Sequence, residues 1–419
     1  MKSKILSKIR NPLIANSFYL YLANFADYLL ALIILPFIAR ALGPEHLGYV
    51  GLAQTFGIFI LLIMEFGSPL MVTRQVAREK NNLENIKQLI GQTFSFKLFL
   101  IPLILLISII VTWMVPVFYK HPHYVLIVVI GSIFQGLAPV WYFMGIEKIR
   151  TIAFSKTIVR LIGFGLIFLF VRSSHDGWIV LFGYMISSIL ICLYLIKNLV
   201  NILGSFSIGK RSSIKSIWQK SKDSFFVTIL PVLYNNLGVI IMSTIVNPLQ
   251  LGYYYGAARI HGAFNTLYGP MGEAFYPHLA SMRSLDHDKA KQTAKFFLYI
   301  LATIGFVFFL IIYFFAEPII LFILGENFLF AKTTLKIFAI VLPLTAISHV
   351  LGRQWLMISG NENQYVKILS ISSLIAVLSI IFIIRSYGII AMPLSLIIYE
   401  FLSIIMIVHF IRRTMYRNV

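Results

Sequence analysis

Apolar runs of about twenty residues recur along the whole sequence, and a helix of that length crosses a hydrocarbon core of about 30 Å. Of the 419 residues, 59% are hydrophobic and only 12% are charged. An average soluble domain has about 25% charged residues. The sequence therefore predicts an all-α polytopic membrane protein.

Twelve membrane helices are predicted on these runs. Their ranges are 14–38, 49–71, 93–114, 123–145, 152–171, 178–197, 224–246, 252–279, 296–316, 330–357, 366–385 and 388–411. Several contain Pro or Gly, which predicts kinks. The basic start MKSKILSKIR leads into an apolar run too long for the core of a cleavable signal peptide, so we expect the first helix to be retained.

Lys and Arg are concentrated in alternate connections. The N-terminus, the 72–92, 146–156, 197–223 and 280–295 connections and the C-terminus together hold 24 of the 35. The opposite connections hold only a few, such as Arg40, Lys120, Arg172 and Arg385. Because basic connections remain cytoplasmic, both termini are predicted to be cytoplasmic. The net charge of +20 thus reflects topology, and we expect no nucleic-acid partner, which would need basic residues clustered on one soluble face.

The chain divides near its middle. No connection exceeds about thirty residues, too few for an independent soluble domain. The longest connection is Ser/Lys-rich and lies midway, as a linker would. We predict an N-terminal six-helix lobe over 1–203, a cytoplasmic linker over 204–223 and a C-terminal six-helix lobe over 224–419.

The two predicted lobes share a short motif. LGPEHLGYVGLAQTFGIF at 42–59 and VNPLQLGYYYGAARIHGAF at 246–264 have a Pro, a Leu-Gly-Tyr and an Ala at a constant offset of 204. Six helices per repeat would give both lobes the same orientation, related by a pseudo-two-fold axis along the membrane normal, with a substrate site between them. Chance similarity between two apolar helices is the alternative.

Several ionisable residues fall inside predicted helices, where a charge costs at least about 2.5 to 3.5 kcal/mol unless it faces a cavity or a partner. These residues are Asp27, Glu65, Arg160, Arg259, His261, Glu273, Arg353 and Glu400. Glu65 and Arg353 lie near helix ends and have snorkelling to the headgroups as an alternative. For His261 the alternative is packing, and for Glu400 it is pairing or protonation.

The predicted helix 252–279 is the most polar of the set. Arg259 and Glu273 are fourteen residues apart, which would place both on one face of a continuous helix. An excess of Arg in a cavity suits an anion, above all a phosphate. The predicted substrate-binding residues are Arg259, Arg160, Arg353, Asp27, Glu273 and Asn265. Asp27, Glu65 and Glu273 are the candidates for ion coupling.

Other chemistries have little support in the sequence. No His or carboxylate pair recurs at metal-ligand spacing, and no nucleophile motif is present, so we expect neither a metal site nor catalytic residues. Gly204, Gly209 and Lys210 have the spacing of a phosphate-binding loop, but Arg211 replaces the Ser or Thr that would hold magnesium. We therefore expect transport without ATP and without a cofactor. Coupling to a proton or sodium gradient is an open alternative to passive movement.

Several motifs resemble those of one transporter family. They are LPFIARALGPEHLG, EFGSPLMVTRQVA and the pattern of Pro139, Trp141, Phe143, Gly145 and Glu147, and the similarity covers essentially the whole chain. The chain resembles the Wzx-type O-antigen flippases, in the polysaccharide branch of the multidrug/oligosaccharidyl-lipid/polysaccharide exporter superfamily. Met144 and Pro69 depart from residues common in that family.

The resemblance implies a twelve-helix, two-lobed exporter of the bacterial inner membrane. Its substrate would be an undecaprenyl-diphosphate-linked oligosaccharide repeat unit, moved by alternating access during O-antigen or capsule synthesis. Membrane lipid and other polysaccharide assembly proteins would be its partners. Two alternatives remain: an ion-coupled multidrug exporter of the same superfamily, for which an acidic cavity is expected, and a membrane polysaccharide polymerase, for which a large outer loop is expected.

Overall fold

A computed structural model describes residues 12–80, 82–205 and 211–417. The side chains of 12–32, 226–228, 230–235 and several other positions lie outside this description, and so does the side chain of Asp27. Gly209 and Lys210 of the rejected phosphate-loop pattern also lie outside the described residues.

Helices make up nearly all of the described chain. They are α1 (Pro12–Glu65), α2 (Ser68–Arg78), α3 (Leu83–Met114), α4 (Pro116–Lys120), α5 (Pro122–Leu137), α6 (Val140–Gly145), α7 (Ile149–Phe170), α8 (Gly177–Leu203), α9 (Arg211–Ser243), α10 (Pro248–Asn265), α11 (Tyr268–Leu285), α12 (His287–Ile323), α13 (Lys332–His349), α14 (Glu362–Tyr387) and α15 (Ala391–Arg417). Short 3₁₀ turns lie at Ser174–Asp176, Glu326–Ala331 and Gly388–Ile390, and Val350–Leu356 forms a π segment.

Eight stretches of the described chain are long and apolar enough to cross a membrane. They are Ile33–Arg78, Leu83–Met114, Pro122–Gly145, Ile149–Phe170, Ser174–Leu203, Asp288–Ile323, Glu326–Leu356 and Glu362–Arg413. The predicted class, an all-α polytopic membrane protein, is confirmed. The number of twelve crossings stays a prediction, because the predicted helices 224–246 and 252–279 fall on none of these eight stretches.

The chain forms two compact units. The first unit comprises Met1–Phe37 and Tyr49–Ile229, and the second comprises Ile38–Gly48 and Leu230–Val419. The short segment Ile38–Gly48 therefore belongs with the later half of the chain. The predicted domain boundaries around the 204–223 linker, and the pseudo-two-fold axis, stay predictions.

Helices of the first unit pack through small residues. α8 lies against both α5 and α7. At the α7–α8 crossing, a Cβ added to Gly163 would stand 2.9 Å from the carbonyl oxygen of Gly183, so the two backbones nearly touch. Ser187 of α8 donates a hydrogen bond to the carbonyl of Val159 on α7, at 3.2 Å. Close approach through Gly and Ser, with a hydroxyl bonded across, is how helices associate where lipid removes the hydrophobic driving force.

The second unit contains a close contact between the two copies of the repeated motif. A Cβ on Gly48 would lie 2.4 Å from the carbonyl oxygen of Pro248, and a Cβ on Gly252 would lie 1.7 Å from that of Pro44. Pro44 and Gly48 are the residues that the offset of 204 matches to Pro248 and Gly252. The contact is therefore reciprocal, each motif offering its glycine to the proline carbonyl of the other, as at an isologous interface.

The first two predicted helices, 14–38 and 49–71, meet without a loop. α1 runs through both of them, and Gly43 interrupts it with a non-helical φ of 68°. That conformation costs glycine little because it has no Cβ. The helix then ends at Glu65, six residues before the predicted end, because Phe66 (φ 39°) and Gly67 (φ 69°) both take left-handed conformations.

The prediction of one continuous helix over 252–279 is wrong. α10 ends at Asn265 and α11 begins at Tyr268, so Arg259 and Glu273 lie on different helices and not on one face. Pro270 supplies the physical reason: it has no amide to donate to the Thr266 carbonyl and its ring crowds that carbonyl, which kinks or breaks a helix, and here Pro270 falls in the first turn of the next helix. Two other predicted helices are also divided, 123–145 before Pro139 and 330–357 by the π segment.

Candidate functional site

A group of charged side chains lies inside the first unit, on helices that are apolar enough to span a membrane. Glu65 at the end of α1 interacts electrostatically with Lys97 of α3 and Lys156 of α7. Lys97 is only 1% exposed, and Glu65 is half-buried. Glu65, Lys97 and Lys156 are called the first-unit charge cluster below. Two cations face one carboxylate in this cluster, so its net charge is positive.

Lys97 is held by a helix end. Its Nζ donates a hydrogen bond of 2.5 Å to the carbonyl oxygen of Gly136, near the C-terminus of α5. The last four carbonyls of a helix have no partner within it, and this end carries partial negative charge. Pro139 follows the helix and has no amide that would cap it. The ammonium of Lys97 therefore satisfies a carbonyl left free by the break between α5 and α6.

A cavity of about 90 Å³ borders Glu65. Its lining comprises Leu62, Glu65, Gly67, Pro69, Leu70 and Phe225. The positive φ of Gly67 turns the chain here, and a Cβ at that position would stand 2.5 Å from the backbone nitrogen of Phe225. The space holds several water molecules or one small ion, and it is far too small for an oligosaccharide. It gives the carboxylate of Glu65 a small, mainly apolar compartment.

Arg160 lies one turn beyond Lys156 on α7, so both lie along one face of that helix. Its side chain is half-buried. Asp27 lies on α1, but its side chain is outside the described set. The first unit thus brings Glu65 together with Lys97 and Lys156, and places Arg160 next along the same face.

The remaining predicted site residues lie in the second unit, around the break between α10 and α11. Arg259 is exposed on α10, and Asn265 is the last residue of that helix. The Oδ1 of Asn265 is buried and accepts no hydrogen bond from any described residue. An unsatisfied buried amide oxygen next to a helix break is a polar position that a ligand or water would complete.

Glu273 and Arg353 flank one contact between α11 and the π segment. Gln354 donates a hydrogen bond through Nε2 to the carbonyl of Gly272, at 2.8 Å. A Cβ on Gly272 would lie 2.7 Å from Cε1 of His349, so a larger residue would displace the side chains packed here. Glu273 and Arg353, the neighbours in sequence of the two bonded residues, are both exposed and form no ion pair with any described residue. Short π segments inside helices are frequent at functional sites.

Two features of these sites were missed in the sequence. Lys97 lies in the apolar run FSFKLFLIPL, inside the predicted helix 93–114, and a lysine in such a run is a visible signal of a functional or capping role. The π segment has no comparable signature, since the residues of Val350–Leu356 also suit an α-helix.

A family model described as "Polysaccharide biosynthesis protein" matches residues 13–283. A protein named "Putative O-antigen transporter" from Escherichia coli (strain K12) is 28% identical over 369 residues, which cover 87% of this chain and 88% of that protein. A protein of the same name from Shigella dysenteriae is 25% identical over 401 residues, or 93% and 98% of the two chains.

Solved structures of transporters share the fold. "Lipid II flippase MurJ, inward closed conformation" matches with a TM-score of 0.73 and 16% identity, over 95% of this chain and 87% of that one. An inward-facing multidrug resistance transporter of the MATE family matches with a TM-score of 0.63 and 16% identity, over 90% and 91% of the two chains. At this level of identity the likeness establishes the architecture alone.

Proposed function

Because the chain belongs to the polysaccharide biosynthesis protein family, we propose that it is a flippase for lipid-linked oligosaccharides. It moves undecaprenyl-diphosphate-linked repeat units from the cytoplasmic to the periplasmic leaflet of the bacterial inner membrane, for O-antigen or capsule synthesis. Transport proceeds by alternating access and without ATP. The relatives described above carry the names of transporters or flippases, in agreement with the expectation that the chain is not an enzyme.

The observation that carries this proposal is the excess of cations on membrane-spanning helices of the first unit. Lys97 and Lys156 interact electrostatically with the carboxyl group of Glu65, and Arg160 follows Lys156 on the same face of α7. Burying an ammonium as completely as that of Lys97 is costly and is retained where a function needs it. A diphosphate carries the complementary charge, and a guanidinium such as that of Arg160 binds it with two parallel hydrogen bonds.

In the second unit, Arg259, Asn265, Glu273 and Arg353 are proposed to complete substrate recognition. Next to the break after Asn265, the buried amide oxygen of this residue accepts no hydrogen bond from a described residue, and a polar group of the substrate could supply one. Arg259 supplies a cation that the repeat does not duplicate, since the matching residue of the first motif is Thr55. Recognition of the anion is therefore proposed to be asymmetric between the repeats.

Coupling to a proton or sodium gradient is assigned to carboxylates. Glu65 is the strongest of the predicted coupling residues because its carboxyl group borders a small cavity that can hold water or a small ion. Asp27 and Glu273 are proposed for the same role from their places in the sequence. Both termini are proposed to be cytoplasmic, and other polysaccharide assembly proteins are proposed partners.

The runner-up function is an ion-coupled multidrug exporter of the same superfamily, whose fold this chain shares with the MATE structure. Such exporters often carry cations, for which the positive first-unit charge cluster is unsuitable. A membrane polysaccharide polymerase is the more distant alternative, and the described connections between helices are too short for a catalytic outer loop.

The deciding experiment is deletion of the chain's gene, followed by chemical identification of the lipid that accumulates. We expect an undecaprenyl-diphosphate-linked repeat unit confined to the cytoplasmic leaflet, with complementation by the intact chain. Accumulation on another carrier, or an unchanged lipid pool together with sensitivity to cationic drugs, would favour the multidrug exporter.

A further inference from the structure

A buried carboxyl group that the proposed mechanism does not use lies in the second unit. Glu400 of α15 is 6% exposed. Thr345 of α13 donates a hydrogen bond of 2.9 Å to its Oε1, and Ser348, one turn along α13, contacts its Oε2 at hydrogen-bond distance. The carboxyl group is thus fully engaged by two hydroxyl groups of a facing helix.

Among the described residues, no cation forms an ion pair with this carboxyl group. The ionisable groups that interact with it are Tyr399 on its own helix and Tyr365 on α14. Farther from the carboxyl group, Arg353 of the π segment interacts with Tyr365 and with His349 of α13. An ionised carboxylate buried at this depth without a counter-charge is strongly disfavoured, so a neutral form must be accessible.

The hydroxyl of Ser348 provides the route for that neutral form. Its Oγ lies within reach of two acceptors, Oε2 of Glu400 and, at 3.2 Å, the carbonyl oxygen of Thr345. A serine has one hydroxyl proton, and a carbonyl only accepts. When Ser348 donates to the Thr345 carbonyl, its contact with Glu400 is satisfied only if the carboxyl group donates, which means that Glu400 carries a proton. When Glu400 is ionised, the hydroxyl turns and donates to it instead.

We propose that Glu400 is a proton-binding site of the second unit, which alternates between a neutral form bonded to Ser348 and an ionised form that accepts from Ser348 and Thr345. The site takes a proton and no larger ion, because both carboxyl oxygens already have a hydroxyl partner. The inference rests on the proposed transport function for its purpose, namely proton coupling. The binding of the proton itself does not depend on that function.

The test is infrared difference spectroscopy of the full chain reconstituted in liposomes, with pH steps and no substrate. We expect a carbonyl-stretch band of a protonated carboxyl group that disappears on alkalinisation and is absent from Glu400→Gln, whose amide mimics the neutral form. The matched control is Glu362→Gln, at the exposed start of α14, which is expected to keep the band. A band that persists in E400Q, or that does not respond to pH in the wild type, would overturn the proposal.

If E400Q does not insert in the membrane, Ser348→Ala carries the same test. Removing the acceptor of the carboxyl proton should shift the band and its midpoint pH, and an unchanged spectrum would contradict the assigned route. In a separate measurement, flipping driven by a pH gradient should fall about tenfold in E400Q, within the usual range for coupling between two sites. A pH-dependent band in a protein that moves no lipid-linked oligosaccharide would leave the proton site intact and refute the proposed function.

Discussion

Gly252 packs against Pro44 so closely that a Cβ on the glycine would stand 1.7 Å from the proline's carbonyl oxygen. The repeat partners of these residues, Gly48 and Pro248, make the reverse contact with a separation of 2.4 Å. Neither glycine can be replaced by a larger residue without a clash with the other motif. The repeated residues of the sequence are thus the ones that form this contact.

Gly252→Ala should lower the stability of the second unit. The added methyl group would overlap backbone, which cannot turn away as a side chain can, and such overpacking costs about 1–3 kcal/mol. Thermal unfolding of the detergent-purified chain measures the effect. Gly262→Ala, on the same helix with open space at its Cβ position, is the control and should be neutral or slightly stabilising. Equal unfolding temperatures for the two variants would contradict the close contact.

Arg259→Ala should abolish export of surface polysaccharide while the protein still inserts in the membrane. Loss of a charge-assisted hydrogen bond weakens binding by about 1.5–3 kcal/mol, which is roughly ten- to a hundredfold. Arg259→Lys should retain part of the activity, because it keeps the charge and loses the two-pronged geometry. Arg385→Ala, in the last turn of α14, is the control. Normal polysaccharide in the R259A strain would refute the assignment.

Lys97→Met should lower both the unfolding temperature and export. The substitution keeps the length of the side chain but removes one cation and leaves the carboxyl group of Glu65 in place, and removal of one partner of a buried charge pair destabilises by up to about 3–5 kcal/mol. The lost hydrogen bond to the carbonyl of Gly136 adds about 1 kcal/mol. Thermal unfolding and surface polysaccharide are measured on the same variant. A less stable protein with normal export would identify Lys97 as a helix cap alone.

Asp286 should make the start of α12 sensitive to acid. Its side chain accepts a hydrogen bond of 3.0 Å from the amide of Lys289, and this bond holds the pKa of Asp286 below its usual value. A carboxyl group whose pKa is lower in the folded state stabilises the fold above the pKa of the unfolded chain, and this stabilisation is lost as the pH falls through the folded value. The difference in unfolding temperature between wild type and Asp286→Ala should therefore shrink below about pH 4. A difference that is constant with pH would show that the charged form has no special role.

The predictable part of the fold follows from the apolar runs. An apolar run such as 178–197 can cross a bilayer only as a helix, and it lies within α8 as expected. Some helices begin before their apolar run: α12 begins at His287, whereas the predicted helix begins at residue 296. Its polar first turns are stabilised by the cap Asp286, and a hydropathy pattern does not reveal polar helical turns. The break after Asn265 was missed because a short run of small and aromatic residues continues through it.

The candidate site was only partly visible for a related reason. Isolated charges in apolar runs identified Glu65 and Arg160, and family membership, predicted from motifs such as LPFIARALGPEHLG, is confirmed by the family match. The sequence does not show which of these polar side chains lie close together in the fold. Lys97 interacts electrostatically with Glu65 from a helix that begins eighteen residues later. Glu400 contacts Ser348, which lies 52 residues earlier in the chain.

The π segment also alters the rhythm of the helix that contains it. Its amide of Met357 bonds to the carbonyl of Gly352, five residues back, so each turn holds more residues than an α turn. Side chains of the π segment are consequently displaced around the helix axis relative to those before Val350. A probe moved residue by residue along this stretch would record one periodicity of water exposure up to His349 and a displaced one from Val350 to Leu356, where the helix ends. Straightening the π turn into an α turn would rotate the last residues of the segment about that axis.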